Sequence, residues 1–282
     1  MEQHNKTNLE NDIYFALEIL NHNLCDEDRP REYARIKRYS DDPLYSCIKN
    51  MKGKKKVLSV TESGDPVLCS IASGAESIDT FDTDNFSKYF LDLKRTGACK
   101  LGNVPFYNMF YSNNFEYNDS NKLYPMFRES LPFRSLIFWD ALLEHNSWSQ
   151  VYSSDLFTER KNVSKVTLEE RIPFLGEDDF FDLNESVSNV KVNSFTGDLA
   201  TVGDEVKGDS YDLVFTSDSV DHMLPEFYLD YVSKINVRPN GIILATSHLS
   251  KDSTKFRDLV LREDGFFEKK SDDSSRVFVK RF

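Results

Sequence analysis

The sequence predicts an α/β fold built on a mostly parallel sheet that ends in an antiparallel hairpin. From Lys54 to Gly97, short β-branched runs alternate with apolar residues at helix spacing. The same alternation returns after residue 189, and the tail from Phe266 to Phe282 reads as two strands around a Ser/Asp turn. Residues 101–188 break the rhythm and are rich in aromatics, which predicts a largely helical insertion. That insertion is either an ordinary helical core or a lid that shapes a substrate pocket.

The first alternating part is one β-α-β-α unit. Its predicted elements are the strand Val57–Val60, the turn Thr61–Pro66, the helix Val67–Ala72, the strand Ile78–Phe81 and a helix from Phe86 to Gly97. The second part is predicted to contain the strand Val190–Asn193, the strand Tyr211–Thr216, the helix Pro225–Val237, the turn Arg238–Gly241 and the strand Ile242–Thr246. We expect residues 54–282 to form one domain, preceded by an N-terminal helical segment, 1–53.

The N-terminal segment combines a helix with a charged run. Residues 11–24 place Ile13, Leu17 and Leu24 on one face. Asp26 to Asp42 is polar and carries Arg-rich clusters. Such a run forms a basic lip over an anionic ligand or, more commonly, a solvated surface.

Composition narrows the function classes. The formal net charge is −12, which disfavours a general nucleic-acid binder and loose adhesion to anionic membranes. The start does not resemble a signal peptide and no apolar stretch approaches a membrane span, so we expect a cytoplasmic protein without integral membrane association. The four cysteines are scattered, which favours reduced thiols, and His145 and His248 have no spaced ligand partners, so no metal site is predicted.

Polar residues follow four of the predicted strands, and those after the first three are of the kinds that a cofactor with an adenosine moiety requires. The turn containing Thr61, Ser63, Gly64 and Asp65 allows close backbone approach, and Asp82 with Thr83 ends the second strand, where a carboxylate can accept both ribose hydroxyls. The candidates that follow the next strands are Asp198, Leu199 and Ser217. Structural roles remain open: Gly64 as a simple turn glycine, Asp82 and Asp84 as helix caps, and Asp198 in an exposed turn.

These residues resemble an uncharacterised bacterial family related to the AdoMet:diacylglycerol aminocarboxypropyl transferases of betaine-lipid synthesis. The resemblance covers roughly residues 55–250 and rests on the motifs Val57–Asp65, Phe81–Asp84, Phe90–Lys94, Phe138–Asp140, Ile172–Leu175 and Tyr211–Val214. It implies a class I methyltransferase-like, Rossmann-like fold that binds S-adenosyl-L-methionine (AdoMet). Gly64 and Asp65 would face its methionine and ribose portion, Asp82 the ribose, and Asp198 with Leu199 the adenine. Pro66 and Asp218 depart from the family pattern, which has Asn and Ser-Asn there.

The function predicted on this basis is an AdoMet-dependent transferase. Methyl transfer to a small acceptor is favoured, with aminocarboxypropyl transfer or a lipid-like acceptor as alternatives. Asp221 and His222 are candidate catalytic residues as a base, although capping by Asp221 and a packed or solvent-facing His222 fit the same sequence. A non-catalytic relative that works by contact remains a second hypothesis. An NAD(P)-dependent oxidoreductase is disfavoured because the GxGxxG pattern is missing.

Overall fold

A computed structural model describes residues 2–21, 36–112, 120–157, 168, 170–248, 255–269 and 275–282. Leu24, most of the charged run after it, and the Ser/Asp turn of the tail lie outside the described residues.

One seven-stranded sheet organises the chain, with the strand order β3-β2-β1-β4-β5-β7-β6. The strands are β1 Lys56–Val60, β2 Ser77–Asp82, β3 Lys191–Thr196, β4 Tyr211–Phe215, β5 Val237–Ser247, β6 Phe267–Lys269 and β7 Arg276–Arg281. The pairs β1–β2, β1–β4, β2–β3 and β4–β5 are parallel, whereas β7 runs antiparallel to both β5 and β6. The predicted parallel sheet with a C-terminal antiparallel hairpin is therefore confirmed.

The helices occur in the regions that the alternation indicates. Their bounds are α1 Glu2–Asn21, α2 Leu44–Met51, α3 Asp65–Ala72, α4 Phe86–Lys100, α5 Asn103–Phe110, α6 Ser120–Phe127, α7 Phe133–Leu143 and α8 Trp148–Ser153, followed by Glu177–Ser186, Leu199–Glu205, Pro225–Ser233 and Lys255–Glu263. Single 3₁₀ turns occur at Arg128–Ser130, Pro173–Leu175 and Ser217–Asp221. None of the helices among the described residues is both long enough and apolar enough to cross a bilayer.

The central strands are apolar because both of their faces are covered. Val57 and Leu58 of β1 are each fully buried, and they belong to two different core clusters on opposite sides of the sheet. Val214 and Leu213 of β4 divide between the same two clusters. This alternation fixes β1 and β4 at the centre and brings their carboxyl ends to one edge of the sheet.

The sequence predicts a turn at Arg238–Gly241 that precedes a strand. This prediction is wrong, because these residues lie inside β5. Tyr211 of β4 pairs with Val237, whereas Leu213 pairs with Ile242, so the β4–β5 register shifts across this stretch. Asn240 takes the left-handed conformation, with φ 66°. The sequence Pro-Asn-Gly is a common turn sequence, but here it forms a bulge on a long strand.

The aromatic-rich insertion packs as core in its described part. Its most deeply buried rings belong to Phe106, Phe110, Tyr111, Phe127, Phe138, Trp139, Trp148, Tyr152, Phe157, Phe174 and Phe180. Trp139 lies between Phe138 and Trp148, with ring centroids 5.1 and 5.4 Å away, and its indole donates to the Tyr89 carbonyl of α4. Helix α1 joins the same cluster through Ala16 and Ile19. Phe115 and Tyr117 lie outside the described residues.

The described end of the N-terminal charged run is buried rather than solvated. Arg38 is 7% exposed and donates to the carbonyls of Phe110 and Ser112, while its guanidinium lies 4.6 Å from the Tyr152 ring centroid. Ile36 forms a β-bridge with Phe157. The segment Ile36–Pro43, called the strap below, is thereby held against the insertion and the sheet edge.

Candidate functional site

The turn after β1 has the backbone shape that only glycine adopts easily. Gly64 has φ +84°, and its N–H donates to the Thr61 carbonyl at 2.7 Å. A Cβ at this position would lie 3.2 Å from Cδ1 of Leu91 on α4. Gly64 thus allows the turn to pass close to α4 while the chain enters α3 at Asp65 and Pro66.

Two other residues of the turn face inward. The Thr61 hydroxyl lies 2.7 Å from that of Thr80 on β2, and the Ser63 hydroxyl accepts from the Asp65 amide at 3.2 Å. Thr61 is 1% exposed and Ser63 0%. Both side chains hold the turn, and the Thr61 backbone does so too, because its N–H donates to the Phe81 carbonyl at 2.8 Å and its carbonyl accepts from Gly64.

Asp65 is fully buried and its oxygens are taken by protein groups. Oδ1 accepts from Lys94 Nζ at 2.7 Å and from the Tyr111 hydroxyl at 2.5 Å, and Oδ2 accepts from the Ser40 amide at 2.7 Å. Burial lowers the pKa of Lys94 even though Asp65 opposes the shift. The carboxylate connects the turn, α4, the insertion and the strap. Both carboxylate oxygens of Asp65 thus already accept from protein donors, and its contact with a ligand stays a prediction.

Asp82, at the end of β2, is placed differently. It is half-buried; Oδ2 accepts from the Glu62 amide at 2.9 Å and Oδ1 from the Thr83 amide at 2.8 Å. Burial raises its pKa, and backbone amides oppose that shift. Each carboxylate oxygen has a second lone pair, but the Thr83 hydroxyl lies 3.4 Å from Oδ1, so a ligand hydroxyl at Oδ1 would have to displace that contact. Thr83 beside it is exposed.

Glu62 supports Asp82 through an unusual backbone conformation. Its φ is 49°, in the left-handed region that non-glycine residues rarely adopt, and this aims its N–H at Asp82. Its carboxylate accepts from Lys37 and, at 2.9 Å, from the Ser40 hydroxyl of the strap. Strain of this kind is retained where surrounding contacts fix it, and such positions cluster at functional sites.

Asp84 is the helix cap of this region. Its Oδ1 accepts from the amides of Phe86 and Ser87 at 2.7 and 3.3 Å, at the start of α4. Burial, followed by the charge of Asp82, raises the pKa of Asp84 to about 6. The sequence offered both Asp82 and Asp84 as possible helix caps. In the structure only Asp84 bonds the first amides of α4, whereas Asp82 lies at the carboxyl-end edge of the sheet.

Asp198 and Leu199 lie after β3, next to Asp82. The Gly197 amide donates to the Asp82 carbonyl at 2.7 Å, which joins the ends of the two strands. Asp198 is exposed and forms a capping box with Thr201, whose amide donates to Oδ1 at 3.0 Å. Leu199 is 3% exposed and packs in the core. Asp198 therefore caps the helix Leu199–Glu205. It is also exposed at the sheet edge, where a bound ligand could reach it.

Ser217 follows β4 and faces the strap. It has φ 49°, and its hydroxyl donates to Asp42 Oδ2 at 2.6 Å. Thr246 of β5 donates to Asp42 Oδ1, and the His248 Nε2 lies 3.6 Å from that oxygen. Burial opposes ionisation of Asp42, but His248, Ser217 and Thr246 lower its pKa below the ordinary value.

Asp221 and His222 do not form a pair with each other. Asp221 accepts from Arg257 and, at 2.8 Å, from the His248 amide. The His222 side chain is 71% exposed, and its Nε2 lies 3.4 Å from Asp218 Oδ2. Asp218 in turn lies 3.7 Å from Lys37 Nζ. Proximity therefore pairs His222 with Asp218, one turn before it.

Several residues at this edge were missed by reasoning from the sequence: Lys37, Asp42, Glu62, Lys94, Tyr111 and His248. Lys94 gave one signal, because the Leu-Lys of the helix was part of the motif that carries the resemblance. Glu62 lies in another of those motifs, and Lys37 lies in the charged run for which a basic lip was one interpretation. Asp42, Tyr111 and His248 join positions far apart in sequence, as when Asp42 contacts Ser217, and no local pattern predicts such contacts. Within the described part of the chain, no group of three or more potential metal ligands gathers.

Comparison with known proteins yields structural similarity alone. The chain matches no family model and no curated protein sequence. Similar solved structures include an O-methyltransferase family protein from Burkholderia thailandensis (10% identity, TM-score 0.39, covering 85% of this chain and 55% of that one). Others are a putative SAM-dependent methyltransferase from Streptococcus mutans (10%, 0.40, 85% and 48%) and an N-methyltransferase from Bradyrhizobium japonicum in complex with S-adenosyl-L-homocysteine (9%, 0.38, 97% and 98%).

These likenesses are too distant to transfer a function. The chain spans about half the length of the first two structures, at 55% and 48%. The sheet itself is more informative: a parallel β3-β2-β1-β4-β5 order completed by an antiparallel β7 between β5 and β6. This chain has a Rossmann-like α/β fold, with a mostly parallel sheet that ends in a C-terminal antiparallel hairpin.

Proposed function

We propose that this protein is an AdoMet-dependent transferase whose cofactor binds across the carboxyl ends of β1, β2 and β3. The observation that carries the proposal is the alignment of the Gly64 turn, Asp82 and Asp198 at one edge of adjacent parallel strands. Open α/β sheets bind ligands at this edge. The residues fit an adenosine ligand because Asp82 is a half-buried carboxylate at the end of β2, beside the exposed carboxylate of Asp198 after β3.

Each candidate residue receives a role by its chemistry. Asp82 would accept the two ribose hydroxyls, Asp198 and Leu199 would border the adenine, and the turn of Thr61, Ser63 and Gly64 would offer backbone groups to the methionine end. Thr83 and Ser217 would border the two sides of the pocket. In this proposal Asp65 holds the turn from behind through Lys94 and Tyr111 instead of contacting the ligand.

Methyl transfer to a small acceptor is the favoured reaction. Bound AdoMet supplies an electrophilic sulfonium carbon, so the protein must place an acceptor atom in line with it and remove a proton. His222 with Asp218 is the exposed imidazole–carboxylate pair at the end of β4. His222 would accept the proton, and Asp218 would stabilise the resulting imidazolium. Asp221 is committed to Arg257 and would position the end of β5 through the His248 amide.

Calorimetric titration tests the cofactor class. AdoMet and S-adenosyl-L-homocysteine should both release binding heat, because they share the adenosine and amino-acid groups, whereas NADH should not bind. Heat with NADH alone would favour an oxidoreductase. Absence of heat with both sulfur nucleosides would refute the proposed function.

The product identifies the group transferred. Incubation of AdoMet with candidate acceptors should yield S-adenosyl-L-homocysteine if methyl is transferred. Methylthioadenosine would instead identify aminocarboxypropyl transfer, the reaction named by the sequence resemblance. His222→Gln should lower the rate while AdoMet affinity is unchanged, and Asp218→Asn should also lower the rate, because it removes the carboxylate next to His222.

A further inference from the structure

The strap Ile36–Pro43 crosses the edge of the sheet at the candidate site. Its Ser40 amide binds Asp65 behind the turn after β1, and its Ser40 hydroxyl binds Glu62. Two residues further on, Asp42 reaches the ends of β4 and β5. One short segment from outside the predicted α/β domain thus contacts both halves of the edge.

Asp42 is the most strongly anchored residue of the strap. Its carboxylate is 0% exposed, and the structure surrounds it with the hydroxyls of Ser217 and Thr246 and the imidazole of His248. It lies 175 residues before Ser217 and 204 before Thr246. Burying a carboxylate is unfavourable unless donors and positive charge compensate for lost water, so this arrangement is specific to the folded edge.

We propose that Asp42 is a positioning residue of the candidate site, which fixes the ends of β4 and β5 and makes the strap one wall of the pocket. This inference rests on the proposed function and adds a residue outside the cofactor motifs. The reason lies in Ser217, which has a left-handed backbone and a side chain, a combination that needs external support. The hydrogen bond to Asp42 provides that support.

The contacts of Asp42 also extend to Asp82, on the part of the edge where the cofactor is proposed to bind. Ser40 Oγ lies 3.3 Å from Asp42 Oδ2 and 2.9 Å from Glu62 Oε2, and the Glu62 amide donates to Asp82. A displacement of Asp42 would therefore loosen the Ser40–Glu62 contact that holds the peptide beside Asp82. Cofactor affinity is expected to depend on Asp42 although its carboxylate is sealed from solvent.

Protonation of His248 adds an ion pair at 3.6 Å to the hydroxyl contacts that hold Asp42. The groups facing the imidazole are Asp42 of the strap, Asp218 and Asp221 of the turn after β4, and Ser275 before β7, at 3.2 Å from Nδ1. Arg257 neutralises Asp221, and Lys37 lies between Glu62 and Asp218. Asp42 raises the pKa of His248, with burial opposing the shift. As pH rises, loss of this proton leaves Asp42 with hydroxyl donors and the more distant Lys37. Glu62, whose pKa burial raises to about 8, ionises over the same range, and the His248 variants separate the two effects.

The test is AdoMet titration of the full chain at about pH 6 and about pH 8.5, on either side of the range in which histidine titrates. Wild type should bind more weakly at the higher pH. Asp42→Asn should bind at least about tenfold more weakly at low pH and lose most of this pH dependence, because breaking a buried charged pair is costly. Asp204→Asn removes the same charge from an exposed site on the helix Leu199–Glu205 and should behave as wild type.

A second variant covers the case in which Asp42→Asn does not fold. His248→Arg keeps a permanent positive charge and should retain affinity at both pH values. His248→Gln should bind weakly at both. Wild-type affinity and pH profile in Asp42→Asn, or an unchanged pH step in both His248 variants, would overturn the inference.

Failure of the proposed function is recognised separately. If wild type binds neither AdoMet nor S-adenosyl-L-homocysteine, the proposed function fails. The strap contact is then judged by thermal unfolding of the ligand-free proteins. A pH-dependent difference in Tm between wild type and Asp42→Asn, absent in Asp204→Asn, supports the contact, and identical Tm profiles refute it.

Discussion

The two halves of the sheet edge handle carboxylates in opposite ways. At β2 and β3, Asp82 is half-buried and Asp198 exposed, and both bind backbone amides. At β1, β4 and β5, Asp65 and Asp42 are fully buried and bound by cations and hydroxyls from distant segments. In the first half, carboxylate oxygens stay near the surface, where they could accept hydrogen bonds from a ligand. In the second half, the buried carboxylates connect distant segments of the chain.

We propose that this difference separates carboxylates that bind a ligand from carboxylates that hold the fold. A carboxylate that caps a turn through backbone amides stays near water and can accept ligand hydroxyls. A carboxylate with a buried cation partner is structurally committed, since removing either member leaves an uncompensated charge. The following predictions test that division, beginning with the largest expected effect.

Lys94→Met should destabilise the fold most. The variant leaves Asp65 buried without its cation, and such a loss costs about 3–5 kcal/mol of unfolding free energy. Denaturant unfolding measures it. Lys88→Met on the same helix removes a partly exposed pair with Asp92 and should cost less than about 1 kcal/mol. Equal effects of the two substitutions would show that Asp65 is not a scaffold carboxylate.

Gly64→Ala should cost about 1–2 kcal/mol for the left-handed backbone, with a further cost from the 3.2 Å approach to Leu91. Gly208→Ala is the matched control, because its φ is +96° and nothing lies within 4 Å of the added Cβ. Unfolding and AdoMet titration are measured together. Both variants should lose stability, and Gly64→Ala alone should lose affinity. Loss of affinity in Gly208→Ala would mean that global stability, not the turn, governs binding.

Asp198→Ala should cost about 1 kcal/mol of stability through loss of the capping box. Asp198→Asn retains a cap acceptor and should restore most of that stability. AdoMet affinity of the pair then reports whether the carboxylate has a ligand role besides capping. If Asp198→Asn binds AdoMet as wild type does, a charged contact to the adenine is excluded.

Asp84→Asn should have the smallest effect, and its sign depends on pH. The folded pKa of about 6 exceeds the ordinary value, so the folded state takes up a proton first and gains stability as pH falls through 6 towards 4. Asparagine keeps the cap acceptor without the charge. The variant should be slightly more stable than wild type at pH 7, with a flatter pH profile below 6. Unfolding across this pH range checks it, and an unchanged slope would contradict the shift.

The sequence predicts the sheet well because strands and helices are local patterns. The runs at Val57–Val60 and Tyr211–Phe215, and the hairpin around β7, follow from β-branched residues bounded by turns. The prediction of a turn at Arg238–Gly241 failed because the residues that favour turns also favour bulges within strands. The candidate site was only half predictable. Asp82 and Asp198 follow strands directly, but Asp42 acts on Ser217 across 175 residues, and the sealing of Asp65 depends on Tyr111, 46 residues away.

The most direct test of the central claim is the AdoMet affinity of Asp82→Ala against wild type and Asp204→Ala, all measured by calorimetry. If Asp82 accepts the ribose hydroxyls, its removal should weaken binding by about 1.5–3 kcal/mol, the value of hydrogen bonds to a charged acceptor. Asp204→Ala, which removes an exposed carboxylate on the helix Leu199–Glu205, should bind as wild type does. An Asp82→Ala protein that folds and binds AdoMet with wild-type affinity would contradict the assignment of the cofactor to this edge.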